Sequence, residues 1–286
     1  MAVQQTVRRR RLGAELVRLR DASGLNGEQV AAQVEGWSGT KLSRAENAKV
    51  AVKPDELARL LKFYNASEEL TAILLDLARN GRKRGWWQSY NEALDDLATD
   101  FITLEADAAS FSEYEQAFVP GLLQTADYAH AIIEALSADP DVNVAAAVEI
   151  RMARQVVLTR KDNPLELWAV IHESALRSNV GGDAVMADQL QRLLDRAKLP
   201  NVNVQIMPAN AAVHPGMAGS FTIIGFPHQR DLDVVMIEGL LDGLWVEEPS
   251  NVEFFRTKFR QITAEAMPVE ASLRFISEQK DRLSHE

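Results

Sequence analysis

The first 66 residues hold four short amphipathic segments, each closed by a glycine, a polar turn or a proline. Segments this short are not stable alone and must bury a face against one another. Leu12, Leu16 and Leu19 recur at helical spacing until Gly24 supplies a left-handed stop, which predicts a helix from about Arg9 to Ser23. Asn26 is placed as an N-cap with Gln29 three residues on, the spacing of a capping box. Val30, Ala31 and Val34 give the next helix its buried face. Glu35-Gly36-Trp37 interrupts that pattern, and Ser38 then caps a third helix with Leu42 and Ala45 turned inward. Lys53-Pro54-Asp55 opens a fourth, whose Leu57, Leu60, Leu61 and Tyr64 fall at i, i+3, i+4 and i+7. Pro54 suits its first turn, where the missing N–H needs no partner.

Two short helices joined by a tight Gly-containing turn and flanked by packing helices follow the helix-turn-helix plan. The charge distribution agrees with it. A net charge of −10 opposes a nucleic-acid partner on average, yet residues 1–66 carry 12 Lys+Arg against 7 Asp+Glu, net +5. The remaining 220 residues carry 19 against 34, net −15. Local charge governs binding when the Debye length is about 8–10 Å, so only the basic head is expected to meet phosphates. At 286 residues, two domains are the natural reading. We place a DNA-binding head at 1–66, a linker helix at 67–84 and a larger domain at 85–286. The absence of cysteine removes disulfides and Cys-type zinc sites. No apolar run follows the N-terminal arginines as in a signal peptide, and none later approaches a membrane span. A soluble cytoplasmic protein is expected, on the nucleoid when bound to DNA.

The stretches "LRDASGLNGEQVAAQV" and "GWSGTKLSRAEN" resemble the phage-repressor-like helix-turn-helix regulators of the Xre class, over about residues 10–65. The resemblance implies a recognition helix at Gly39–Glu46 entering the major groove of double-stranded DNA. Thr40 and Arg44, four apart on one face and flanked by Lys41 and Ser43, would then reach base edges, Arg44 towards guanine and Thr40 towards a thymine methyl. Ser38, Asn26, Asn47 and Lys49 are assigned to phosphates, which position without specifying. Arg20 and Glu46 match a pair that ties the first helix to the end of the recognition helix. Two positions depart from the pattern: Gly27 stands where relatives carry Gln, and Gly39 where they carry a long polar side chain. Affinity is therefore expected to lean on the arginine arm Arg8, Arg9, Arg10 and Arg11, for which a solvated charged terminus is the competing reading.

Beyond the head, "SEELTAILLDLARN" gives an amphipathic helix through Leu70, Ile73, Leu74 and Leu77. In "GWWQSY", Trp86, Trp87 and Tyr90 are candidates either for walling a ligand or partner site or for pinning one domain to the other. Phe101 and Leu104 belong to a further helix, and further helices are placed near 124–137, 143–160 and 183–198. "SFSEYEQ", "LELWAVIH", Val202/Val204/Ile206, "SFTIIGF", "DVVMIEG" and "GLWVEE" are strand candidates, and two helices close the chain. The expected fold class is α+β: an all-α head followed by a mixed α/β domain with a sheet of about four or five strands.

No catalytic motif emerges. The histidines at 130, 172, 214, 228 and 285 show no metal-ligand spacing, and "NVGGDA" lacks the Lys-Ser/Thr of a phosphate loop. No catalytic residue, metal or cofactor is expected. His214 and Met217 on the turn "HPGM" form the most site-like stretch, read either as a plain loop or as an exposed binding imidazole. An enzyme with a DNA-binding head would centre on His214 or His172 with Glu173. The segments "GWWQSY", "FVPGLLQTADYA", "EIRMARQVVLTR", "NVNVQIMP", "HPGMAGSFTIIGF" and "VVMIEGLLDGLWVE" resemble, in order over about 85–282, an actinobacterial domain described as Scr-family antitoxin-like. This resemblance implies a transcriptional regulator paired with a very small partner protein. Together the two resemblances give a DNA-binding regulator, a homodimer on paired half-sites, whose acidic body receives a small protein partner or a small-molecule effector.

Overall fold

A computed structural model of the chain describes residues 6–80, 96–137, 141–227, 232–239 and 243–283. They fall in two compact units, Met1–Trp86 and Trp87–Glu286. The first unit is helical throughout: α1 (Val7–Ser23), α2 (Gly27–Ala31), α3 (Gly39–Glu46), α4 (Pro54–Phe63) and α5 (Glu68–Asn80). Local chemistry sets each boundary. Gly24 closes α1 at φ 71°, Asn26 and Gln29 exchange both bonds of a capping box on α2, and Ser38 Oγ accepts from the Lys41 amide at 3.2 Å. Leu16, Val30, Leu42, Leu57, Leu60, Leu61 and Leu74 are fully buried, and each such side chain contributes about 1.5–3 kcal/mol. The helix set apart in the sequence as a linker, α5, packs on α1 and α4 through Leu70, Leu74 and Leu77.

The arginine run is not an arm. Thr6 caps α1, so Arg8 to Arg11 lie in its first turns. Arg8 and Arg11, one helical turn apart, are 6% and 5% exposed, while Arg9 and Arg10 are half-buried. A reading of charge alone missed that residues three apart share a helix face, here the face that also buries Leu12 and Glu15.

The second unit is built on one six-stranded mixed sheet, in the order β3-β2-β1-β4-β5-β6. Its strands are β1 (Ser110–Glu115), β2 (Glu166–His172), β3 (Val202–Met207), β4 (Phe221–Gly225), β5 (Val234–Glu238) and β6 (Gly243–Val246). β1, β2 and β3 pair in parallel and the other neighbours are antiparallel. All six strands fall on strand candidates of the sequence, one more than the four or five expected in the sheet, and the sixth, in "GLWVEE", is a short edge with no fully buried residue. Helices α6 (Asp96–Asp107), α7 (Ala126–Leu136) and α8 (Val144–Arg154) precede β2, and α9 (Glu173–Arg177) and α10 (Asp183–Arg196) precede β3. The chain closes with α11 (Pro249–Glu265) and α12 (Val269–Leu283).

The two sheet faces differ. One, carrying Tyr114, Val170, Met207, Phe221, Ile223 and Val235, forms a dry core with Val252, Phe259 and Ile262 of α11. On the other, Phe101 of α6 stacks edge-on to Phe111 at 6.0 Å and lies 6.2 Å from Trp245. Among the described residues, no helix is long and apolar enough to cross a membrane.

Candidate functional site

The exposed face of α3 is the first candidate. Leu42 and Ala45 are buried at 0% and 3% and Trp37 at 8%, its Nε1 donating to the Glu56 carbonyl at 3.1 Å. That inward anchoring leaves Thr40, Ser43, Arg44 and Asn47 exposed at i, i+3, i+4 and i+7, one continuous stripe. No hydrogen bond or ion pair engages the Arg44 guanidinium among the described residues. Behind the stripe, Arg20 Nε donates to Glu46 Oε1 at 2.7 Å, and that bond raises the arginine's pKa. The brace ties α1 to the last turn of α3, as the resemblance implies.

Several residues assigned to DNA have structural partners. Lys41 turns away from the stripe: its Nζ ion-pairs with Glu56 Oε2 at 2.9 Å, donates to the Gly36 carbonyl at 2.8 Å and sits 5.1 Å from the centre of the Trp37 ring. The bond from Lys41 lowers the Glu56 carboxyl's pKa. Ser38 and Asn26 spend their side-chain oxygens on helix caps, and Asn47 Nδ2 donates to the Ser43 carbonyl at 2.7 Å. Lys49 is exposed just past the end of α3, its amide closing the helix on the Arg44 carbonyl at 2.8 Å. Ala48 makes that turn at φ 56°.

A second candidate lies wholly within the larger unit. A cavity of about 640 Å³ opens between α6, α7 and α8 and the sheet face carrying Glu113, Glu115, Thr222, Met236 and Glu238. Side chains alternate along a strand, so Glu113 and Glu115 share this face, and the pairing sets Glu113 opposite Thr222, which in turn faces Met236. From α8, Arg154 makes a two-pronged bond to Glu105 of α6 at 2.9 and 2.8 Å and lies 4.9 Å from the Phe101 ring centre. Arg151 donates to Gln124 Oε1 at 3.0 Å. Burial, then repulsion from Glu115 and Glu238, holds the Glu113 carboxyl well above its ordinary value. Burial chiefly pushes Glu115 up to about 7, against a bond from Ser220 that lowers it. Burial brings Arg151 down to about 10.

The family description "Domain of unknown function (DUF5753)" matches residues 98–278. The chain belongs to the DUF5753 family. A helix-turn-helix domain matches residues 11–74, which supports a DNA-binding regulator. No curated protein and no solved structure matched.

The DUF5753 domain holds the sequence-selected residues His214, Met217, His172 and Glu173, and His172 acts electrostatically on His214. Trp86, Trp87 and Tyr90 lie outside the described residues. His214, expected as an exposed imidazole, is 5% exposed, with its ring 6.0 Å edge-on from Tyr114. Burial lowers its pKa. Met217, two residues after Pro215, is 52% exposed. His172 Nδ1 accepts from the Ser174 amide as the cap of α9. Glu173 binds Arg177 at 2.6 Å and the Ala209 amide at 2.9 Å. None of His214, Met217, His172 and Glu173 lines the cavity. The cavity's own carboxylates were missed, although the repeat "SEYE" set Glu113 and Glu115 two apart on a strand, the spacing that puts both on one face.

Proposed function

We propose that the protein is a sequence-specific regulator of transcription that reads double-stranded DNA with α3, in the manner of the Xre class. The observation that carries this is the stripe Thr40, Ser43, Arg44 and Asn47, exposed on a helix whose opposite side is buried and whose end is braced by Arg20–Glu46. Arg44 reads guanine through its paired N–H groups, Thr40 and Ser43 contact neighbouring bases, and Lys49 meets phosphate. Lys41 serves as a brace between α3 and α4. The protein acts as a homodimer on half-sites about one helical turn apart, in the cytoplasm. Its larger domain supports dimerisation and receives a partner. The Scr-family resemblance favours an antitoxin-like pairing with a very small protein. The 640 Å³ cavity favours a small-molecule effector.

The test is selection of bound sequences from a random duplex library, followed by gel shifts on the enriched site. Arg44→Ala is expected to keep its fold, lose about 1–3 kcal/mol of affinity and relax one base position. A folded variant with wild-type affinity and selectivity would remove α3 as the reading helix. Light scattering at twice the monomer mass checks the dimer.

A further inference from the structure

We infer that the cavity over β1, β4 and β5 is a binding site for an apolar small molecule bearing a protonated amine. Its volume of about 640 Å³ falls in the range of small-molecule sites, about 300–1,000 Å³. The walls divide by chemistry. Phe101, Phe118, Ile132, Ile133, Leu136 and Ile150 supply an apolar surface, and Leu136, 42% exposed, marks its solvent side. The sheet supplies three carboxyls, Glu113, Glu115 and Glu238.

The protein balances these carboxyls only in part. Glu238 is exposed to solvent, Arg154 acts on Glu113 while its direct bonds go to Glu105, and Arg151 is itself bonded to Gln124. Glu113 is the telling residue. It is 8% exposed, lines the cavity, and has no hydrogen-bond or ion-pair partner among the described residues. A buried carboxyl in that state is costly unless a complementary group reaches it. Mutual repulsion and burial raise the pKa of Glu113 and Glu115, the state that an incoming cation relieves. Carboxyls on one wall and apolar side chains on the other fit an organic ammonium, and among the described residues no three His, Cys, Asp or Glu are placed to hold a metal ion. Thr222, opposite Glu113 on the same face, adds a hydroxyl that can accept from it.

The inference needs no DNA, so its test is separate from that of the DNA-binding role. The full-length protein is titrated by calorimetry with phenylbutylamine and naphthylbutylamine, each beside its alcohol and its carboxylic acid. The amines are expected to saturate one site per chain and to bind about tenfold or more tighter than their counterparts. Binding is expected to tighten from pH about 6 to about 8, as Glu115 ionises beside Glu113, Glu238, Glu105, Arg151 and Arg154. Glu113→Gln/Glu238→Gln should abolish the preference for the amine. Leu136→Trp, at an exposed position that leaves the core intact, should weaken every binder by crowding the entrance. Equal affinity for amine and alcohol, preference for the acid, or no saturable binding by any compound would overturn the proposal. So would a folded double variant that keeps the amine preference.

Discussion

Gly27 and Gly39 both lack a side chain on the side of the head assigned to DNA, and they differ in what one would meet. A Cβ at Gly27 meets nothing nearer than Leu42 Cδ2 at 3.9 Å, an ordinary contact, whereas a Cβ at Gly39 meets the carboxylate of Glu28, the end of an exposed, flexible side chain that would have to swing aside. Glu28 lies at the N-terminal end of α3, where the helix dipole favours a negative charge. Gly27→Gln is therefore expected to stabilise the protein by up to about 1 kcal/mol, through the helix propensity lost at glycine. It should also tighten DNA binding by about two- to tenfold through one added hydrogen bond. Thermal melts and gel shifts check both. Unchanged or weaker DNA binding by a folded variant would place Gly27 away from the duplex. The two glycines were legible as departures from a pattern. What a side chain at each would meet was not, because at Gly39 that is Glu28, on a neighbouring helix.

At the level of elements, Gly13 decides how closely α1 and α3 approach. A Cβ there collides with the Glu46 carbonyl and lies 3.0 Å from that of Ala45, so α1 rests directly on the last backbone turn of α3. The same two helices are joined by Arg20–Glu46. Gly13→Ala gains about 1 kcal/mol of helix propensity, but forcing a methyl into packed backbone costs about 1–3 kcal/mol, and rigid carbonyls put it at the upper end. A net loss of about 1–2 kcal/mol, with weakened DNA binding, is expected in a denaturant titration; a gain in stability would show that α1 can shift freely over α3. Nothing around Gly13 announced this contact, since it sits among correctly spaced leucines. The bounds of α3, its Ser38 cap and its buried Leu42 and Ala45 were readable because caps and periodicity are local. The burial of Arg8 and the Lys41–Glu56 pair were not, because each depends on contacts between segments distant in sequence.

For the whole molecule, the acidic body carries some of its charge where charge is least stable. Glu113 and Glu115 lie under α6–α8, near Glu238 and Glu105 and facing Arg151 and Arg154. Their raised values mean that the folded chain holds protons the unfolded chain has released; through Glu115 stability falls as pH rises from about 4.5 to about 7 and stays lower above that, and Glu113 acts in the same direction. For Glu115, the move from 4.5 to about 7 corresponds to about 3 kcal/mol. General repulsion in a body of net charge −15 acts in the same direction, so the contribution of the cavity is read by difference. Glu113→Gln and Glu115→Gln are each expected to melt higher than the wild type at pH about 8, to match it more closely at pH about 5, and so to flatten the profile. Parallel melting profiles for wild type and variants would show that these carboxyls ionise in the folded chain without cost. A steeper wild-type profile would instead measure the stability given up to keep buried carboxyls in a sheet that could have been apolar, a cost that a cationic occupant of the cavity would offset.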